Sequence, residues 1–122
     1  MTMVERLMET IRQALGTQLK FPDGYKPHLK SDGARKYGGV SKFSELEDWL
    51  AAISYQYALM KFEGNDPNVD RLRVYLLVDY LEGDALKWFT AHVLSAKRNT
   101  SYWTFSDVVV GLYDRYVLPT SS

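Results

Sequence analysis

The sequence predicts an all-α fold: a compact bundle of four to five helices, with an extra N-terminal amphipathic helix and a long basic arm. Three observations predict it. Apolar residues recur at three- and four-residue spacing through most of the chain, the period of a helix with a buried face. Helix-start signals punctuate that pattern at Ser44-Glu45-Leu46-Glu47, Asp66-Pro67 and Thr104-Phe105-Ser106-Asp107. Finally, the stretch from Tyr80 to Phe89 ends one apolar segment and begins another within a few residues. There Gly83 has no Cβ to oppose the left-handed conformation that closes a helix. Asp84 offers an N-cap acceptor, Ala85 lets two helices approach, and Trp88 and Phe89 bring large buried area.

Taken in order, residues 2–19 read as an amphipathic helix, with Val4, Leu7, Met8, Ile11, Ala14, Leu15 and Gln18 on one face. That stripe either docks on the body or serves self-association. Residues 20–43 are a basic arm punctuated by Pro22, Asp23-Gly24, Pro27, Asp32-Gly33 and Gly38-Gly39. Within it, Lys36 to Val40 suits a short extended piece. Residues 44–119 form the helical domain. Its first helix runs to about Phe62, with Ser44 as N-cap, Glu47 closing a capping box and Phe43 stapled onto Trp49. Leu46, Trp49, Leu50, Ile53, Tyr57 and Met60 share its inner face.

A second helix follows Asp66-Pro67 and runs to Leu81. Val69, Leu72, Val74, Leu76, Leu77, Val78, Tyr80 and Leu81 wrap most of its circumference, which marks it as the buried central helix. Arg71, Arg73 and Asp79 are left the exposed edge. A third runs from Ala85 to about Lys97 with Leu86, Phe89, Val93 and Ala96 inward, and Arg98 to Ser101 form a polar loop. The last starts at the Thr104–Asp107 box, carries Phe105, Val108, Val109, Leu112, Tyr113 and Tyr116, and stops at Pro119. The expected structural core includes Trp49, Leu77, Leu81, Gly83, Ala85, Trp88, Phe89, Trp103 and Phe105.

The bulk numbers bound the answer. A chain of 122 residues, 46% hydrophobic and 14% aromatic, can bury one real core. No apolar run reaches the roughly 18 residues of a membrane helix, and the N-terminus has no long apolar centre of the secretory kind. With no cysteine there is no disulfide, Cys-ligated zinc or thiol nucleophile, which fits a cytoplasmic, intracellular protein. Net charge is zero but uneven: residues 1–43 carry eight Lys/Arg against four acids, residues 44–122 seven against eleven. The basic part is either a solvated linker or a contact for an acidic partner.

Catalytic patterns are missing. His28 and His92 are isolated, and no H-x-x-x-H, G-x-S-x-G or Walker pattern occurs. Acid pairs such as Glu45/Asp48 and Asp66/Asp70 sit at helix starts, where the dipole favours them. Trp49, Trp88 and Trp103 lie at helix starts and on apolar faces, which favours packing over base stacking. No enzyme, cofactor or metal is expected.

Residues 37–119, about two-thirds of the chain, resemble the Gag capsid domain of Ty3/Gypsy-type LTR retrotransposons. The matching residues are Tyr37-Gly38-Gly39, Phe43, Glu47-Asp48-Trp49-Leu50, Arg71, Leu76-Leu77, the whole Tyr80–Phe89 stretch, Trp103-Thr104-Phe105, Leu112, Tyr113 and Tyr116. The resemblance implies a capsid N-terminal lobe that self-assembles into virus-like particles enclosing the element's RNA. A full Gag has a second lobe and often a Cys/His zinc knuckle; this chain has no cysteine, so it reads as a fragment or a domesticated Gag-derived protein. Domesticated relatives use the lobe to bind short peptides in an apolar groove. The expected partners are therefore further copies of the chain, then short peptides, then weak RNA contact by the basic arm, and no membrane. Candidate partner-binding residues are Lys36, Tyr37, Gly38 and Gly39, with Tyr57 and Tyr113.

Overall fold

A computed structural model describes residues 1–16, 19–26, 35–95 and 102–120. It is all-α, with five helices: α1 (Met3–Leu15), α2 (Phe43–Leu59), α3 (Pro67–Leu76), α4 (Gly83–Trp88) and α5 (Phe105–Leu112). Among the described residues there is no strand, only an isolated parallel bridge between Tyr37 and Leu81. One hydrophobic cluster draws on all five helices. Gln18, His28, the turns at Pro27 and Asp32-Gly33, the inward Ala96, Lys97, and the loop from Arg98 to Ser101 lie outside the described residues.

Helix α1 is shorter than the predicted 2–19, and it docks. Thr2 and Glu5 form a reciprocal capping box at its start. Leu7, Ala14 and Leu15 are buried, with Val4, Met8 and Ile11 packed behind them. The Gly64 amide donates to the Leu15 carbonyl at 2.8 Å, and Arg6 reaches Glu47 of α2 at 2.8 Å. The stripe is therefore satisfied within the chain.

Helix α2, not α3, is the central helix: Leu46, Trp49, Leu50, Ile53, Tyr57 and Ala58 are all buried. The predicted Ser44–Glu47 capping box does not form. Lys42 is the N-cap, without a side-chain bond, and its carbonyl already accepts the Glu45 and Leu46 amides. Glu47 is turned to Arg6 and Glu45 to Arg35 at 3.1 Å, so the carboxylates serve tertiary ion pairs instead. Phe43 packs edge-on against Tyr113 rather than stapling Trp49. The helix also ends before the predicted Phe62. Lys61 adopts φ +63, its amide donates to the Ala58 carbonyl, and the Phe62 amide donates to the Tyr57 carbonyl at 2.8 Å. That is a Schellman closure with lysine where glycine is usual.

Helix α3 departs most from expectation. It stops at Leu76, a 3₁₀ turn covers Leu77–Asp79, and Tyr80-Leu81 runs on toward the bridge with Tyr37. Val74 and Leu77 are buried, but Leu72, Tyr75 and Val78 are 45%, 55% and 42% exposed. Arg73, predicted on the exposed edge, is only 5% exposed. Its guanidinium donates to the carbonyls of Phe62 and Gly64, each at 2.6 Å, and to Asp70 at 3.1 Å. A buried cation is tolerated because each of these acceptors replaces water. Asp70 in turn accepts the Phe105 amide at 3.0 Å, which ties the start of α5 to α3.

The corner holds its shape by a different division of labour. Gly83 is left-handed, φ +55, as its place in the sequence predicts. It opens α4 rather than closing the helix before it, and Glu82, not Asp84, is the N-cap. Beyond Trp88 a π-helical turn covers Phe89–Val93. Helix α5 keeps its predicted Thr104–Asp107 box, then loosens into a π turn over Tyr113–Val117 and a 3₁₀ turn over Leu118–Thr120 that contains Pro119. Of the predicted core residues, Trp49, Leu77, Leu81, Ala85, Phe89 and Phe105 are fully buried, Trp88 and Trp103 are half-buried, and Gly83 is exposed.

Candidate functional site

Two surface features stand out. The first is built by the segment from Arg35 to Val40 on the Gly83 corner. The Tyr37 amide donates to the Tyr80 carbonyl and the Glu82 amide to the Tyr37 carbonyl, both at 3.0 Å. Trp49 Nε1 donates to the same Tyr80 carbonyl at 2.8 Å. The Tyr37 ring is buried between Trp49 and Tyr116, and its hydroxyl donates to the Val40 carbonyl at 2.6 Å. Burial, with a lesser contribution from Tyr116, pushes the Tyr37 hydroxyl up to about 12. Gly39 is left-handed, φ +109, and a Cβ there would meet the Tyr116 ring at 3.0 Å. This segment frames a cleft of about 370 Å³ whose walls include Arg35, Lys36, Gly38, Glu45 and Glu82.

Lys36, Tyr37, Gly38 and Gly39, consecutive in the chain, all line this cleft. Tyr57 and Tyr113 do not join them. Tyr57 is 0% exposed and its hydroxyl donates to the Arg73 carbonyl at 2.6 Å, so it is a core residue with no surface for a partner. Burial, then Tyr80, pushes its hydroxyl well above the ordinary tyrosine value. Tyr113 is also buried; it meets Phe43 and sends its hydroxyl to Met3 Sδ at 3.6 Å. Aromatic residues at inner helical positions become core first.

The second feature is the outer face of α3 and its 3₁₀ extension. Leu72, Tyr75 and Val78 recur every third residue on it, flanked by Arg71 and Asp79. Tyr102, 64% exposed, lies beside this face, and Arg71 stacks on its ring at 3.8 Å. Tyr75, Leu94, Tyr102 and Trp103 border one small depression there. The three-residue spacing is visible in the sequence, but the apolar residues filling the other side of α3 mask it. A broader groove of about 750 Å³ separates Ile11 and Leu15 of α1 from Pro67, Trp103 and Phe105.

Among the described residues no group of three or more His, Asp or Glu is placed to hold a metal, and no helix is long and apolar enough to cross a membrane. Comparison with protein-family models, curated proteins and solved structures returns no match to the chain.

Proposed function

We propose that this chain is a structural module that works by self-association, in the manner of the Gag capsid domains of Ty3/Gypsy-type retrotransposons. On this reading it is no enzyme, its first partner is another copy of itself, and it acts in the cytoplasm, either in a virus-like particle or as a domesticated derivative. The observation that carries the reading is the outer face of α3. Three apolar side chains, each about half exposed, stand in a row along α3 and its 3₁₀ extension, whose opposite side is packed. Single exposed apolar residues are ordinary, whereas a contiguous row marks a contact surface. Sedimentation from micromolar to millimolar protein tests it. The average mass is expected to rise with concentration; a strict monomer throughout overturns the reading.

The cleft at Arg35–Val40 favours a second reading, capture of a short extended peptide. Tyr37 spends both its backbone groups on the corner, and the segment it anchors borders an open cleft of about 370 Å³ with Glu45 and Glu82 on its other walls. NMR titration with tyrosine- or phenylalanine-containing peptides should then shift Lys36, Gly38 and Gly39. Shifts confined to other residues, or none, dispose of it.

A further inference from the structure

We propose that a pocket on α5 takes a lysine from the basic arm of a second copy, so that copies join head to tail. The proposal rests on the self-association reading and deepens it by naming a socket, its occupant and the symmetry that follows.

The socket lies over α5 and the π turn beyond it. It is a depression of about 480 Å³ with Trp103, Val110 and Gly111 among its apolar walls, bordered as well by Tyr102, Asp107 and Asp114. Seven residues of helix separate the two acids by about 10 Å along the axis. Asp107 spends one oxygen on the Thr104 amide, at 3.0 Å. Asp114 is exposed and forms no salt bridge among the described residues. No described lysine or arginine lines the socket. Apolar walls with aromatic rings and a free carboxylate suit a long side chain that has an apolar stem and a cationic head. Tyr102 already meets one such cation: the Arg71 guanidinium lies 3.8 Å from its ring centroid, outside the socket.

Charge names the occupant. Residues 1–43 carry eight Lys/Arg against four acids and residues 44–122 seven against eleven, so the arm of one copy and the body of another attract. In the arm, Lys20 and Lys26 are exposed and form no salt bridge among the described residues. They flank a loop that is already fastened. The Tyr25 amide donates to the Pro22 carbonyl and the Tyr25 hydroxyl to the Leu59 carbonyl, both at 3.1 Å. The Phe21 and Tyr25 rings stack at 4.4 Å. A loop held in this way loses little freedom on binding. Loop and socket share no residue, so one copy can use both at once. Contact between two different patches propagates into a ring or an open chain instead of closing as a two-fold pair. One side chain in a socket is far smaller than a standard interface, so each link is weak and forms at high local concentration.

Complementation between damaged copies tests the link, with sedimentation as readout. Asp114→Lys sets a cation against the incoming lysine, and Lys20→Ala with Lys26→Ala removes that lysine. Each variant is expected to weaken self-association by about fivefold or more. Mixing the two brings an intact arm to an intact socket and is expected to restore one contact per mixed pair. All three side chains are exposed, so both variants should melt like the parent chain. Variants that associate like the parent, or a mixture that stays as weak as its components, overturn the link while leaving self-association through another face standing. A parent chain that stays monomeric at millimolar concentration overturns both.

Discussion

Two glycines carry opposite constraints, and one experiment separates them. Gly83 has left-handed backbone, but a Cβ there would find only the Gly38 carbonyl at 3.7 Å. Gly111 has ordinary helical backbone, but a Cβ would lie 2.8 Å and 3.0 Å from the Trp88 ring. The first position forbids a side chain by conformation and the second by space. Gly83→Val should cost about 1–3 kcal/mol in urea unfolding. Gly111→Ala should also destabilise, and replacing Trp88 with a smaller residue should relieve it, since the two groups touch. An unchanged midpoint for Gly83→Val would show that the corner is built without positive φ. The left-handed Gly83 was legible because glycine advertises the conformation. Lys61 at φ +63 was not: nothing in a lysine announces a Schellman turn, so α2 read three residues too long. Arg73 runs against expectation for a similar reason. Arginine is almost always exposed, and only the carbonyls of Phe62 and Gly64 converging on it make burial tolerable.

At the level of the element, periodicity found every helix and misjudged which one is central. Counting apolar residues registers how many faces of α3 are greasy, not where the neighbouring helices stand. Helix α2 takes the centre because α1 covers it from one side while Trp49 and Tyr57 reach the corner and α3 from the other. Helix α1 shows the reverse case: its stripe was plain, and only its destination was open. Because Leu7 and Leu15 are buried against the body, deleting residues 1–16 should uncover apolar surface on α2 and α5. Each fully buried aliphatic side chain lost is worth roughly 1.5–3 kcal/mol, so the shortened chain should unfold at markedly lower urea and bind the dye ANS. A truncated chain as stable as the parent would mean α1 is an appendage.

On the scale of the molecule, the class of fold was legible and the surfaces were not. An all-α class follows from spacing and caps that agree along the chain, and local agreement of that kind is what specifies a fold. The cleft depends instead on Tyr37 meeting Leu81, two positions that no local pattern connects. The exposure of Leu72, Tyr75 and Val78 depends on where the neighbouring helices stand, which spacing within α3 does not record. Charge is a surface property too, and it is uneven, with eight Lys/Arg against four acids in residues 1–43 and seven against eleven afterwards. Exposed pairs such as Arg35–Glu45 add little to stability, so the imbalance bears little on folding.

The three tryptophans divide along the same lines. Trp49 is 1% exposed and hydrogen-bonded inside the core, whereas Trp88 and Trp103 meet edge to face at 5.8 Å in a half-buried couple beside Tyr102. The chain therefore carries two intrinsic optical reporters. Emission from the three tryptophans together follows loss of the fold, and the near-ultraviolet dichroism of the Trp88–Trp103 couple follows its edge-to-face geometry. A change in that dichroism with the emission unaltered marks a rearrangement at this edge short of unfolding.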